Sequence, residues 1–299
     1  MLAALAAIGF SFKAILVKLA YPYGVDAITL LALRMIFSLP FFVALLASPM
    51  ARGGVRLTGR DAATLLALGI LGYYLSSFLD FLGLQYISAG LERLILFLYP
   101  TLVVLLSALL FRKPVTRRAV LALLLCYAGI GLAVLHDVHI VTDQAQVWLG
   151  AALVFGSAVS YALYLIGNGQ AVARIGAARL TAWASIVACV ACIAQFLLMR
   201  PWSALVLPWQ VYGLSVAMAL FSTVLPVYLV SEAIRRIGAG PASLIGSLGP
   251  VVTIFLGWLM LDERISAYQL AGAALVMSGV VIISQKSADH LDSTKRSQG

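Results

Sequence analysis

The sequence predicts an all-α polytopic membrane protein with ten transmembrane helices, arranged as two five-helix repeats of inverted topology. The chain is 63% hydrophobic and only 10% charged, whereas a soluble domain carries roughly 25% charged residues. Its apolar residues form long continuous runs and lack the alternation of a membrane β-barrel, which indicates helices. In addition, one segment recurs 150 residues further along the chain.

Ten apolar runs separated by short polar loops are the predicted spans. A helix needs about 20 apolar residues to cross the hydrocarbon core, and its backbone must satisfy its own hydrogen bonds there. The predicted spans are 2–20, 28–48, 62–82, 88–111, 118–135, 147–167, 180–198, 209–231, 238–261 and 267–285. They leave no room for a soluble domain, and the polar segment 286–299 is predicted to be a disordered tail.

The repeat divides the chain into a first half, 1–140, and a second half, 141–285. Segments 87–109 and 237–259 are identical at nine of 23 positions at an offset of 150. Upstream, Arg34 matches Arg179 at an offset of 145. Because each half has five spans, the second half must enter the membrane from the opposite side. Inverted repeats are typical of transporters, because exchanging the conformations of the halves alternates access between the two sides.

The positions of the basic residues predict which side each loop faces. With a cytoplasmic N-terminus, fourteen Lys and Arg residues fall in cytoplasmic loops and the tail, and only Arg200 and Arg264 fall in external loops. By the positive-inside rule, both termini are therefore expected to be cytoplasmic. The net charge of +9 then reflects short loops beside a lipid bilayer, and no nucleic-acid partner is expected. The sequence leaves open whether the protein is a monomer.

Five ionisable residues are predicted to share a layer near the external face: Lys18, Arg34, Asp80, Glu92 and Arg93. Charges within a membrane are costly, so they tend to pair and to face the protein interior. One interpretation is an external gate or a site for the substrate's charged groups. The other is structural pairing, together with long side chains that reach the headgroups.

Lys13 lies near the middle of the first span, where it is a candidate to meet a substrate carboxylate or to titrate during coupling. Asp80 and Glu92 are the only acidic residues within the predicted spans, so they are the available proton carriers. Six aromatic residues are further candidates for substrate binding, since their rings would stack on an aromatic side chain or bind a cation. They are Tyr74, Phe78, Tyr99, Tyr161, Tyr164 and Trp183. The alternative for each is ordinary core packing or a membrane-interface position.

Pro100 and Pro250 are repeat equivalents within the fourth and ninth predicted spans. They are expected to kink these helices, as moving hinges or as static bends. The chain has no G-x-x-x-x-G-K-[ST] motif for ATP. It also shows neither a G-x-S-x-G nucleophile nor a paired-carboxylate arrangement. We therefore expect no catalytic residue, no cofactor and no metal site.

Several short segments resemble a known family. They are Phe10-Ser11 with Lys18 and Arg34, Phe155-Gly156 with Arg179, and Gly249-Pro250 followed by Leu261-Asp262-Glu263-Arg264. The chain resembles the EamA-type branch of the drug/metabolite transporter superfamily over nearly its whole length. Within that branch it is similar to the YddG type of bacterial inner-membrane exporter. In the first half, Lys113 replaces the glutamate that the family has at this position.

The resemblance implies export of aromatic and other apolar amino acids across the bacterial inner membrane by alternating access. Within transport, the alternative cargo is a cationic drug, a purine or another neutral metabolite. Outside transport, the alternatives are an intramembrane enzyme and a structural or receptor-like membrane protein. An inverted repeat supports alternating access directly, and it has no evident use in either of these.

Overall fold

The computed structural model describes residues 1–51, 56–112, 114–140, 143–226, 229, 232–233, 236, 245–246 and 248–296. Within these residues every regular element is helical. The helices are α1 (Leu2–Ala20), α2 (Ala27–Ala47), α3 (Gly59–Leu68), α4 (Ser76–Gly83), α5 (Ala89–Leu96), α6 (Tyr99–Phe111), α7 (Arg117–Ile140), α8 (Gln144–Ile175), α9 (Ala177–Met199), α10 (Trp209–Ala219), α11 (Gly249–Leu261) and α12 (Ala267–Arg296).

The predicted all-α polytopic membrane fold is confirmed. Seven helical segments are long and apolar enough to cross a bilayer, and they coincide with the first seven predicted spans. Three shorter apolar helices, Trp209–Val224, Gly249–Leu261 and Ala267–Ile282, fall within the last three. The part of the ninth predicted span between residues 238 and 244 lies outside the described residues.

The polar C-terminal segment differs from the prediction. It is helical as far as Arg296, as the continuation of α12, although its polarity predicted disorder from residue 286 onward. The sequence between residues 286 and 296 contains neither Gly nor Pro. A helix that is already formed can therefore continue through it without a strongly unfavourable residue.

Two helical spans contain a π-helical segment. Gly69–Leu75 joins α3 to α4, and Leu220–Val224 continues α10. A π-turn holds more residues per turn than an α-helix, so it rotates the side chains that follow relative to those that precede it. The two π-helical segments fall at corresponding positions of the two halves, close to the offset of 150.

Pro100 and Pro250 lie at helix starts. α5 ends at Leu96 and α6 begins at Tyr99, which places Pro100 in the first turn of α6. Pro250 has the same position in α11. A first-turn proline costs no helical hydrogen bond, because its missing N–H would have had no partner there. The fourth span is therefore broken before Pro100, where a kinked continuous helix was predicted. Movement at these two prolines stays a prediction.

Helices α7 and α12 pack against each other through contacts that are related by two-fold pseudosymmetry. A Cβ placed on Gly129 would lie 2.6 Å from the carbonyl oxygen of Gly272, and a Cβ on Gly279 would lie 2.7 Å from that of Ala122. Adding 150 to 129 and to 122 gives 279 and 272, so exchanging the halves converts one contact into the other. This reciprocity characterises an isologous, two-fold interface.

The first helix of each predicted half packs largely on the other half. Helix α1 contacts α10 and α11, whereas α8 contacts α4, α5 and α6. Helices α2 and α9 also pack together across the halves. The predicted halves 1–140 and 141–285 are thus interlocked in space, and their boundaries stay a prediction. Helix α1 also contacts α5. The candidate site lies between α1, α4 and α5.

Candidate functional site

Three buried ionisable residues meet where α1, α4 and α5 come together. The ammonium nitrogen of Lys13 lies 2.6 Å from Asp80 Oδ2 and 3.4 Å from Glu92 Oε1. Asp80 is 1% exposed and Glu92 is fully buried. Both carboxyl groups contact the same ammonium nitrogen. Lys13, Asp80 and Glu92 are called the charged triad below.

The charged triad corrects two sequence expectations. The sequence predicts Lys13 as a candidate separate from the five outer charges, and it predicts no paired-carboxylate arrangement. Both expectations are wrong, because the short connection between α4 and α5 turns the chain back and brings Asp80 and Glu92 together. Their separation of twelve residues does not reveal this, since it depends on how each helix is rotated about its axis.

Arg34 of α2 lies beside the charged triad without an ion pair to it. Its Nε donates a hydrogen bond to Thr223 Oγ1 at 3.2 Å, and its guanidinium lies 5.5 Å from the centre of the Phe81 ring. It interacts electrostatically with Asp80. One of its terminal nitrogens, Nη1, is buried and has no hydrogen-bond partner in the part of the chain that the structure describes. Arg34 therefore adds positive charge near the triad while it ties α2 to the second π-helical segment.

Lys18 belongs to a separate contact that includes Glu263. Its Nζ donates to the carbonyl oxygen of Ile87 at 2.7 Å and lies 3.6 Å from Glu263 Oε1. The same carboxylate oxygen accepts a hydrogen bond at 2.9 Å from the N–H of Ala89, the first residue of α5. A carboxylate at a helix N-terminus is favourable, because it balances the unpaired N–H groups and the helix dipole. Glu263 thus anchors the start of α5.

Arg93 follows Glu92 in α5 and lies over the ring of Phe97. It is 9% exposed, and its guanidinium lies 5.9 Å from the centre of the Phe97 ring. Its Nε is buried and has no hydrogen-bond partner among the described residues. A Cβ placed on Gly249 would lie 3.4 Å from its Nη2. Arg93 therefore has an unused donor, and the start of α11 approaches it closely.

The five predicted outer charges do not form one layer of mutual contacts. Asp80 and Glu92 join Lys13, Arg34 lies beside them, Lys18 contacts Glu263, and Arg93 contacts Phe97. A similar depth in the membrane predicted one group. The rotation of each helix decides the actual neighbours, and depth carries no information about rotation.

Five aromatic residues form a continuous run of ring contacts from α5 to the first π-helical segment. The ring centres are 5.9 Å apart for Phe97 and Tyr99, and 5.2 Å apart for Tyr99 and Tyr161. They are 5.7 Å apart for Tyr161 and Tyr164, and 5.2 Å apart for Tyr164 and Tyr73. The hydroxyl groups of Tyr73 and Tyr164 are hydrogen-bonded at 3.1 Å. We call these residues the aromatic run; three of its members were predicted.

The other predicted aromatic residues lie elsewhere. Tyr74 and Phe78 stack with ring centres 6.2 Å apart and pack against the core formed by α1, α2 and α9. Trp183 is 36% exposed on α9 and has no ring contact with the aromatic run. Sequence reasoning missed Tyr73, because the i, i+4 rule chose Tyr74 with Phe78. The π-helical segment turns Tyr73 instead toward α8.

The fold and the site define a multi-pass membrane protein with ionisable groups buried inside its helix bundle, a feature that marks substrate and ion pathways. Comparison with protein families gives the next step. The EamA-like transporter family matches residues 1–135 and 148–285, so the chain belongs to this family. The expected membership of the EamA-type branch is confirmed.

Individual relatives agree with this membership. The chain is 33% identical over 271 residues to the "Uncharacterized transporter YcbK" of Bacillus subtilis (strain 168), covering 88% of this chain and 85% of the relative. It is 28% identical over 226 residues to the "Uncharacterized transporter YyaM" of the same organism, covering 75% and 74%. A solved crystal structure aligns with a TM-score of 0.62 over 94% of this chain and 98% of that one, at 19% identity. That last likeness concerns the fold alone.

Proposed function

We propose that this membrane transporter exports aromatic and other apolar amino acids across the bacterial inner membrane by alternating access. Family membership supports transport, and the interlocked, two-fold packing supports alternation between two states. In this proposal the protein works as a monomer with both termini in the cytoplasm, as its loop charges predict. The observation that carries the choice of substrate is that the aromatic run ends at Arg93, whose buried Nε has no hydrogen-bond partner within the residues that the structure describes.

Each part of an aromatic amino acid has a matching group in this region. A guanidinium binds a carboxylate through a planar pair of N–H donors. Arg93 lies over Phe97, which in turn contacts Tyr99. The rings of Tyr99 and Tyr161, nearly perpendicular at 85°, present the faces and edges that aromatic side chains prefer. The substrate's carboxylate is thus assigned to Arg93 and its side chain to these two tyrosines.

A cationic substrate is the second candidate, because aromatic faces also attract cations and the charged triad contains two carboxyl groups. The two candidates differ in one chemical requirement. An amino acid needs Arg93 for its carboxylate, whereas an organic cation is repelled by the positive charge of Arg93. Phenylalanine and phenethylamine differ only in the carboxylate, so they separate the two candidates.

The test measures counterflow of labelled phenylalanine into proteoliposomes, with unlabelled phenylalanine, tryptophan or phenethylamine as competitor. Phenylalanine and tryptophan should compete, and phenethylamine should not. Arg93→Gln should raise the KM for phenylalanine about tenfold or more, since a hydrogen bond to a charged group contributes about 1.5–3 kcal/mol. The control is Arg60→Gln at an exposed position in the first turn of α3, where KM should not change. Competition by phenethylamine equal to that by phenylalanine would favour the cationic candidate.

A further inference from the structure

The two carboxyl groups of the charged triad have too few partners for two negative charges. Within the described residues, Lys13 is the only ion-pair partner of Asp80 and Glu92. None of their four carboxyl oxygens accepts a hydrogen bond from a neutral donor in the described part of the chain. The two carboxyl groups contact the same ammonium nitrogen, at 2.6 and 3.4 Å, so they lie side by side. Two carboxyl groups this close repel each other when both are ionised, and a proton on one of them removes the repulsion.

Counting charges gives the same answer. Two ionised carboxylates beside one ammonium leave a net charge of −1 in a buried site. With one shared proton, the charged triad is neutral. Adjacent carboxylates in a site of low dielectric constant resist double ionisation for the same reason, and they commonly share one proton.

The charged groups around the triad do not replace this proton. Those that face it from neighbouring elements are Arg34 of α2, Arg93 of α5 and Tyr21 after α1, with Lys18 and Glu263 farther toward the α5 start. Arg34 donates to Thr223, and Tyr21 donates its hydroxyl hydrogen to the carbonyl oxygen of Phe81. Neither arginine is within ion-pair distance of the two carboxyl groups, so among the described residues Lys13 alone is paired with them.

Access to the carboxyl pair leads past Lys13. The side chain of Lys13 is 16% exposed, whereas those of Asp80 and Glu92 are 2% and 0% exposed. A proton or a cationic group that approaches the pair therefore meets the ammonium of Lys13 first. Displacement of Lys13 would uncover the pair, and return of Lys13 would cover it.

We infer that the Asp80–Glu92 carboxyl pair is a proton-binding site coupled to transport, with Lys13 as its counter-ion. The substrate's ammonium group replaces the shared proton, which leaves to water on the cytoplasmic side, and the pair takes up a proton again from the external side. One proton then enters for each amino acid that leaves. The coupling rests on the proposed function, whereas the proton site itself does not.

The proton site is tested without substrate, by infrared difference spectroscopy of the purified protein between neutral and alkaline buffer. The wild type should show a carboxylic-acid C=O band that titrates, and Glu92→Gln and Asp80→Asn should each lose it. Asp137→Asn is the matched control, because Asp137 is also a buried acid but hydrogen-bonds to Gln269; it should keep the band. An unchanged band in both triad variants, with each eluting as folded protein, would overturn the proton site.

Coupling is tested in acid-loaded proteoliposomes, with the membrane potential held at zero by potassium and valinomycin. One proton per phenylalanine predicts accumulation up to about tenfold for each pH unit of gradient, since one unit corresponds to about 1.36 kcal/mol. Nigericin should abolish the accumulation, Glu92→Gln should not show it, and Asp137→Asn should keep it. If the wild type exchanges phenylalanine but the gradient drives no accumulation, coupling fails and the proposed substrate stands. If the infrared band behaves as expected but phenylalanine is not exchanged, the proposed substrate fails and the proton site stands.

Discussion

The close packing of α7 and α12 makes a specific prediction about Gly129. A Cβ at this position would lie 2.6 Å from the carbonyl oxygen of Gly272 and 2.9 Å from Leu275 Cβ. Carbon–oxygen contacts between helices are usually about 3.3 Å or longer, so Gly129→Ala requires roughly 0.7 Å of separation. The obstacle is a backbone oxygen, which cannot rotate away as a side chain can, so the two helices must move apart.

The expected cost follows from the general effect of overpacking. Extra atoms in a well-packed contact destabilise a protein by about 1–3 kcal/mol. Replacing a helical Gly by Ala also returns up to about 1 kcal/mol of helix propensity. Gly131→Ala is the matched control, because Gly131 lies two residues further along α7 and has no atom within 4 Å of the added Cβ. The difference between the two variants should therefore report the steric cost alone.

The assay is the temperature at which the detergent-purified protein loses its size-exclusion peak. Gly129→Ala should unfold several degrees below Gly131→Ala. Gly272→Ala should show a similar loss, because its Cβ would lie 2.6 Å from the Gly129 oxygen. The double variant should lose less than the two single losses combined, since both clashes are relieved by the same separation. Equal unfolding temperatures for Gly129→Ala and Gly131→Ala would refute the reasoning.

Three further predictions concern single residues. Arg34→Ala should reduce phenylalanine transport about tenfold with unchanged membrane abundance. Thr223→Val should reduce transport less, because the positive charge of Arg34 remains. Transport at the wild-type rate in Arg34→Ala would contradict this prediction. Burial alone would raise the pKa of Asp26, but its hydrogen bonds, one of them from Arg200, lower it below the usual value. The stability that Asp26 adds is thus present above about pH 4 and lost as the pH falls through the lowered pKa, so the difference in unfolding temperature between wild type and Asp26→Asn should shrink in acid. Asp262 has a left-handed backbone with φ of 53°, so Asp262→Val should lower stability by roughly 1–2 kcal/mol in a heat-denaturation assay, and Asp262→Gly should not.

Apolar runs predicted the helical fold well, because the cost of exposing a backbone to lipid leaves few alternatives. They did not predict where helices are interrupted. The break before Pro100 and the π-helical segment at Gly69–Leu75 depend on how neighbouring helices pack. Nothing in the local sequence distinguishes the π-helical segment from a continuous α-helix.

The sequence predicted which residues belong to the candidate site, but it did not predict which of them contact each other. Asp80 and Glu92 were singled out because acidic residues are rare in membrane spans, and Lys13 because of its depth. Their contact with one another depends on how three helices are rotated about their axes, which the sequence does not give. The i, i+4 rule correctly paired Tyr74 with Phe78, but it did not reveal Tyr73, which contacts Tyr164. The sequence assigns no role to Glu263, because its partner is the backbone N–H of Ala89, which any residue at that position would provide.

Transport of aromatic amino acids is the central claim, and counterflow by the wild-type protein tests it most directly. Proteoliposomes loaded with unlabelled phenylalanine should take up labelled phenylalanine well above protein-free liposomes, and loading with tryptophan should support the same uptake. Loading with a purine or a cationic dye should not. Uptake no greater than that of protein-free liposomes for every amino acid tested would contradict the claim.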